Sequence, residues 1–515
     1  MRFNNILLNA GRRPRKSGIT LYFTRLNSST EKPTTVSLIP KISELTKEEY
    51  YETDKDISLL AYLNARSLAE GITDENLYKL TEPGSQKKLT AYCGADPSAK
   101  SLHLGNLLPL MALLHFKLRG NNVVGLVGGA TGVVGDPSGR TTERKAIEQN
   151  DRLENVKHIQ NQISSFLERG IEYAKSRNYP LSDEGEVELV NNASWWENMK
   201  LLDFLTNYGR HIRVSAMLAR DSIQSRLKSN AGIGYNEFSY QILQAYDFWH
   251  LHKNHGVNMQ IGGNDQWGNI VAGIDLVSRL HRNAQECGAE EGEPKSVFGL
   301  TVPLLTTPSG EKFGKSAGNA VFISEELTSS FDLYQYFINS PDDLVGQLLR
   351  VFTLLPLRSI EWILKLHEED PGLRIAQRTL AREVVDLIRG VGVGDEMSYI
   401  TSLLFPTPDE PFDDNISADK LISNFKRSGI LIRFKLDDFN VEDLKMSTLL
   451  AKIMGKSKTE TKSLIKSGGI YLGLERDQFV DPDDVVLFDP EHHLIDGKLM
   501  LVRSGKQKYY VVEFV

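Results

Sequence analysis

Apolar positions mark out the elements of this chain by their spacing. Between residues 58 and 68, Leu59, Leu60, Leu63 and Leu68 fall on one face of a helix. Residues 88–93 read as a strand that runs into Gly94, Ala95, Asp96 and Pro97, and a helix follows over 102–118. Residues 122–127 form a short apolar run without polar alternation, as expected of a strand covered on both faces of a parallel sheet. Strand, turn, helix, strand is the opening of a doubly wound α/β domain.

The stretch 150–227 is largely helical in pattern, with Leu153, Val156, Ile159, Ile163, Phe166 and Leu167 as one stripe, and a β-like segment interrupts it at 188–191. Strand character returns at 257–261, then a helix over 269–280, then a charged, glycine-containing stretch over 282–295 that reads as a surface insertion. The α/β core, 51–325, is therefore expected to be split by a helical insert at about 140–235. Residues 326–405 continue as helices, and Pro406, Pro408 and Pro411 open an expected linker over 406–440. A final unit, 441–515, mixes two short helices with strands such as 469–472. Residues 31–50 are polar, contain Pro33 and Pro40, and read as a further linker.

Composition narrows the class. A chain of 515 residues, 40% of them apolar, buries several cores and implies two to four domains. Its most apolar glycine-containing stretch, 123–134, is too short to span a bilayer, which argues against a membrane role. A net charge of −7 excludes indiscriminate coating of nucleic acid, so any contact with it must be local. Cys93 and Cys287 are the only cysteines, which leaves neither a disulfide framework nor a cysteine-rich zinc site. Residues 1–30 stand apart: Arg2, Arg12, Arg13, Arg15, Lys16 and Arg25 lie among Ser, Thr, Leu and Ile, with no acid before Glu31. That is the makeup of a mitochondrial transit peptide rather than a secretory signal.

Five blocks carry candidate chemistry. The run from Tyr92 through Cys93, Gly94, Asp96, Ser98, His103, Gly105 and Asn106 is a strand-to-helix turn, whose free N–H groups attract phosphate. Gly105 lets a flat base approach the backbone, and His103, expected one turn into the helix, is placed to donate to a phosphate oxygen. The glycine-rich run 128–140 lacks the Lys-Ser or Lys-Thr pair of a P-loop, and Asp136 suits an ammonium group instead. Tyr240, Gln244 and Asp247 share one helix face at i, i+4 and i+7. A second glycine-rich turn holds Gly263, Asp265 and Gln266, where an acid can hold a ribose hydroxyl. Lys312 and Lys315 lie between Gly310 and Gly318 on an expected loop. His250, His252 and His255 lack a carboxylate placed to complete a metal site, and no protein-bound metal is expected.

Together, the HLGN segment ending at Asn106 and the KFGKS segment from Lys312 resemble the two signatures of class I aminoacyl-tRNA synthetases, and the flanking blocks are similar to the tyrosyl members. The likeness is close over about residues 77–337. It implies a Rossmann-like doubly wound parallel sheet with a helical insert, a helical anticodon-side domain, and a small C-terminal S4-like α+β RNA-binding domain. It implies activation of L-tyrosine with ATP and Mg²⁺, then transfer to the 3′ end of tRNA(Tyr). Tyr92 and Asp247 would hold the phenol; Asp136, Tyr240, Gln244 and Gln266 would bind the rest of the amino acid. Cys93, Gly94, Asp96, Gly105, Asn106, Gly263, Asp265 and Lys315 would bind ATP or adenylate. Ser98, His103, Lys312 and Lys315 would stabilise the phosphates as charge builds, with Arg144 as a further cation.

The same resemblance implies a homodimer in the mitochondrial matrix, with Trp195, Trp196, Phe204 and Leu205 as material for an interface or for the core. Arg374, Arg378 and Arg382 form a row that either faces RNA phosphate or is a solvated face beside Glu383 and Asp386. Lys445, Lys452, Lys456, Lys458, Lys462 and Lys466 cluster with only Glu460 against them, a local basic patch in an acidic chain. A tryptophanyl enzyme is the nearest alternative, but it is not expected to present Tyr92 with Asp247 to a phenol. An enzyme that also binds group I intron RNA is the other, with the charged stretch 282–295 as its hint.

Overall fold

Short apolar runs alternating with amphipathic stretches organise the first two thirds of the chain around one sheet. The computed structural model describes residues 40–85, 87–138, 148–182, 184–228, 232–286, 296–304, 306, 315–316, 319–405, 417–473, 476–505 and 508–515. The expected transit peptide and Arg140, Arg144 and Lys312 lie outside the described residues. Among the described residues the sheet has six strands: β1 (Gly71–Ile72), β2 (Thr90–Ala95), β3 (Asn122–Val127), β4 (Val187–Asn191), β5 (Met259–Gly263) and β6 (Phe298–Val302). Their order is β1-β6-β5-β2-β3-β4, with β1 an antiparallel edge and every other pair parallel.

From β2 the chain winds one way through β3 to β4, and the other side of β2 is taken by β5 and β6. The order therefore reverses between β2 and β5, and a crevice opens at their carboxyl ends. Helices close the two faces of the sheet. Leu104–Leu118 is buried along nearly its whole length and packs on β2, β3 and β5. Gln149–Ser176 lays Val156, Ile159, Ile163, Phe166 and Leu167 against β3, whereas Leu153 is exposed. This contact is close because residue 125 is glycine: a Cβ there would stand 2.8 Å from Ile163 Cγ2.

Several expected boundaries move. The Gln149–Ser176 helix is the crossover from β3 to β4, so the helical insert is narrower than 140–235 and begins after Asn191. Part of the expected linker 31–50 is packed: Leu45 and Thr46 are buried, and Ile42–Leu45 is helical. Similarly, the linker assigned to 406–440 contains the helix Ala418–Phe425 and a strand of the C-terminal sheet.

After the hairpin of β7 (Lys315–Ser316) and β8 (Asn319–Ala320), five helices from Ser330 to Leu404 stack around Ile375–Arg389. A buried ion cluster joins this unit to the sheet domain. Arg177 Nε and Nη2 donate to Glu383 at 2.9 and 3.1 Å, Nη2 also meets Asp386 at 2.5 Å, and Tyr173 donates to Glu383 at 2.6 Å. Glu383 and Asp386 are thus buried ion partners and not a solvated face. The arginine row is divided as well: Arg374 donates to Ile338 O, while Arg382 lies within 3.7 Å of Asp395.

The C-terminal sheet has the order β11-β10-β12-β13-β9, built from β9 (Leu431–Phe434), β10 (Ile470–Leu472), β11 (Asp477–Phe479), β12 (Leu499–Ser504) and β13 (Lys508–Phe514). Period-two alternation gives it two faces. Met500, Val502, Val512 and Phe514 pack on the helix Met446–Met454 and its neighbours, whereas Leu499, Leu501 and Val511 join the main core.

Candidate active site

The turns after β2 and β5 converge with the face of the helix Tyr235–His255 on a cavity of about 360 Å³, within the usual range for small-molecule sites. The cavity is lined by Tyr92, Cys93, Gly94, Asp96, Ser98, His103, Gly105 and Asn106 from the first block. Asp136, Tyr240, Gln244, Asp247, Gly263, Asp265 and Gln266 complete it from the other three. Lys315 enters the description through its backbone in β7.

In the first block His103 is the N-cap of Leu104–Leu118 rather than a residue one turn inside it. Asn106 causes this, because its Oδ1 accepts from His103 N at 3.0 Å. Gly105 leaves room for the imidazole, since a Cβ there would lie 2.9 Å from His103 Cε1. Cys93 is buried in the cavity wall, which pushes its thiol up to about 12. At the inner end the Tyr92 hydroxyl is buried and has no hydrogen-bond partner among the described residues. Burial first, and the nearby Asp247 charge second, hold its proton on well beyond the ordinary phenol range.

Opposite it, Asp247 is fully enclosed and ringed by donors. Trp195 Nε1 and Trp196 Nε1 donate to its Oδ1 at 2.8 and 2.7 Å, and Asn192 Nδ2 donates to its Oδ2 at 2.9 Å. Burial raises the carboxyl to about 7 in spite of these three donors, which pull it down. The indoles and Phe204 therefore face inward, and the exposed apolar residues of the insert include Leu201, Leu202, Leu205, Val214, Leu218 and Leu227.

A second polar group lies nearer the mouth. Asp96 accepts from Tyr240 at 3.0 Å and from Thr131 at 3.3 Å. Asp136 accepts from Gln266 Nε2 at 2.7 Å, Gln266 accepts from Gln244 at 3.2 Å, and Asn269 donates to Gln244 at 3.0 Å. Carboxylates and amides so arranged, Asp136 and Asn269 buried and the others half-buried, present a negative, hydrogen-bonding socket.

Sequence reasoning missed Asn192, Trp195, Trp196, Thr131, Asn269 and Gln260. The available signal was Asn192, a polar residue directly after the carboxyl end of β4 on the side where ligands bind. Gln260 pairs in register with Tyr92, and its Oε1 is buried without a partner among the described residues. Among the histidines, His252 bonds Val257 O and His281, and His255 bonds Glu188. In the C-terminal unit Asp484 joins Glu460 among the lysines: it meets Lys462 at 2.7 Å and Lys445 at 3.3 Å, which hold its carboxyl down to about 2.

The family of tRNA synthetases class I (W and Y) matches residues 84–405. The chain therefore belongs to the class I tRNA synthetases, with their Rossmann-like α/β sheet and many helices, and its relatives in that class are tyrosine–tRNA ligases. The mitochondrial tyrosine–tRNA ligase of Saccharomyces cerevisiae is 42% identical over 458 residues, 88% of this chain and 89% of its own. The mitochondrial enzyme of Schizosaccharomyces pombe is 40% identical over 467 residues, 88% of this chain and 98% of its own. A solved structure of a C-terminally truncated mitochondrial tyrosyl-tRNA synthetase from Aspergillus nidulans has a TM-score of 0.62 at 33% identity, covering 71% of this chain and 98% of that one.

Proposed function

We propose that the protein activates L-tyrosine with MgATP and transfers it to the 3′ end of tRNA(Tyr) in mitochondrial translation, within the matrix. The observation that carries the tyrosine reading is the Tyr92 hydroxyl, buried near the Asp247 carboxylate and without a partner among the described residues. A phenolic hydroxyl entering there accepts from Tyr92, giving it the partner it lacks, and donates to Asp247 beside the three donors already present. A phenyl ring leaves the Tyr92 hydroxyl unpaired in a buried site, which is penalised.

The socket of Asp136, Tyr240, Gln244 and Gln266 takes the ammonium and carboxylate end of the amino acid. Asp96, with Cys93, Gly94, Gly105, Asn106, Gly263 and Asp265, lines the nucleotide side. The tyrosine carboxylate attacks the α-phosphorus of ATP and pyrophosphate leaves, so the protein supplies position and charge rather than a nucleophile. Ser98, His103, Lys312 and Lys315 stabilise the departing phosphates. Mg²⁺ would accompany ATP as part of the substrate, its charge offsetting that of the phosphates.

Transfer needs a tRNA surface. Residues 326–405 serve as the anticodon-side unit, and the C-terminal unit serves as an S4-like RNA-binding domain that presents the exposed lysines Lys452, Lys458 and Lys466. The exposed Leu201, Leu202 and Leu205 form the twofold interface of a homodimer. No described helix is long and apolar enough to cross a membrane.

The test is ATP–pyrophosphate exchange with single amino acids. Exchange driven by tyrosine supports the proposal. Exchange driven by tryptophan and not by tyrosine refutes it.

A further inference from the structure

We propose that Arg389 is a positioning residue for the activation step, locking the backbone that follows the second lysine segment against the HLGN turn. Arg389 is the last residue of the Ile375–Arg389 helix, in the helical unit, and it contacts no part of the cavity. Its guanidinium reaches across the domain boundary: Nη1 donates to Ile323 O and Nη2 donates to Thr328 O at 2.7 Å. Those carbonyls belong to the segment that emerges directly from β8.

The same segment is stitched to the turn that carries His103. Leu104 N donates to Val321 O at 3.0 Å and Ile323 N donates to Leu102 O at 2.9 Å, while Phe322 bridges to His103. Ser324 N donates to Ser101 Oγ at 3.1 Å, and Phe322 N donates to Thr328 Oγ1 at 3.0 Å. On its other side, Ala320 pairs in register with Lys315. One uninterrupted path of backbone pairing thus runs from Lys315 through Ala320 and Val321 to Leu104, and Arg389 fastens its far end.

The electrostatic setting argues against a role in stability alone. Among the described residues Arg389 meets two neutral carbonyls and makes no ion pair, and its Nε is buried without a partner. Burial pushes Arg389 down to about 10, the charge of Glu325 pulls it back up without a direct ion pair, and Arg169, which bonds the adjacent Ile388 O at 2.6 Å, repels it. A buried cation without a direct carboxylate partner is costly to keep. Its gain is geometric: the planar fork fixes two carbonyls at once, which neither lysine nor an apolar side chain can do.

The inference rests on the reading of His103 and Lys315 as phosphate ligands, and it names the helical unit as what sets their separation. Misplacement of such groups by a distant substitution lowers the chemical rate by up to about 100-fold. The experiment uses the full chain with Arg389→Met and Arg389→Lys. Single-turnover adenylate formation is followed across ATP concentrations, alongside equilibrium tyrosine binding and urea unfolding.

The proposal expects Arg389→Met to bind tyrosine like the wild type while forming adenylate about 10-fold to about 100-fold more slowly, with Arg389→Lys in between. Adenylate formation at the wild-type rate in folded Arg389→Met overturns it. A loss of tyrosine affinity in proportion to the rate also overturns it, because that signals general loosening. If Arg389→Met does not fold, folded Arg389→Lys decides: a slowed rate with intact tyrosine binding supports the role, and an unchanged rate refutes it. A wild-type protein without tyrosine-dependent exchange would instead refute the functional reading itself.

Discussion

Replacing Trp196 with phenylalanine removes one N–H from the Asp247 carboxylate and keeps a ring against Phe204 and Tyr246. Asp247 is sensitive to this loss because burial already raises it to about 7 against its three donors. A hydrogen bond to a charged group contributes about 1.5–3 kcal/mol, and one pKa unit corresponds to about 1.4 kcal/mol. Losing the Trp196 donor therefore moves Asp247 up by about 1–2 units, to about 8–9.

The direction follows from which form binds. The ionised carboxylate accepts the substrate phenol, and it accumulates above the pKa. The acid limb of kcat/KM for tyrosine, near pH 7 in the wild type, shifts upward to about 8–9 in Trp196→Phe. At about pH 7.5 the ionised fraction falls by about 3-fold to about 25-fold, and the two proteins converge at high pH. The assay is pyrophosphate exchange at saturating ATP and limiting tyrosine, from about pH 6 to about pH 9.5. An acid limb that stays in place in a folded variant, or a loss that is equal at every pH, refutes the reasoning.

Three further outcomes follow from the same geometry. Tyr92→Phe deletes the unpartnered hydroxyl and should narrow the tyrosine-over-phenylalanine preference in exchange by about 10-fold to about 100-fold, with ATP KM unchanged. Arg177→Met strands Glu383 and Asp386 in the core without their counter-charge and should destabilise the protein by about 3–5 kcal/mol, read as a lower urea midpoint. Lys458→Glu with Lys466→Glu should weaken tRNA charging, more strongly at low than at high salt, and leave pyrophosphate exchange untouched; equal loss of both would remove the C-terminal helices from the RNA contact.

Where local pattern and tertiary demand coincide, the chain could be read directly. β3 spans 122–127 as expected, because after Asn122 a strand covered on both faces is a continuous buried apolar run. β2 and β5 lie two residues beyond their expected limits, since Gly94, Ala95, Gly262 and Gly263 extend the ladders but carry no apolar signal. Tyr240, Gln244 and Asp247 reach one cavity for the reason their spacing suggested, a shared helix face. The short edge strand β1 and the buried β6 were not legible, the first being two residues long and the second following directly on the charged stretch.

What remained hidden was set by contacts distant in sequence. Trp195 and Trp196 read as packing material because a four-residue helix has no period to show that both indoles turn toward a carboxylate about fifty positions away. The sequence leaves the surroundings of Glu383 and Asp386 open between an RNA-facing row and a solvated face because their partner, Arg177, is about two hundred residues upstream. Asp484 likewise meets the lysine cluster through the fold of the C-terminal unit. His103 became an N-cap through a side-chain bond from Asn106, a choice that helical periodicity does not reveal.

The central claim is that the site between β2 and β5 selects a phenol and joins it to AMP. Its most direct test is to give the full chain MgATP with an equimolar mixture of tyrosine, phenylalanine and tryptophan, without tRNA, and to identify the enzyme-bound adenylate by mass. The account predicts tyrosyl-adenylate alone. Tryptophanyl-adenylate, or a comparable yield of phenylalanyl-adenylate, would contradict it.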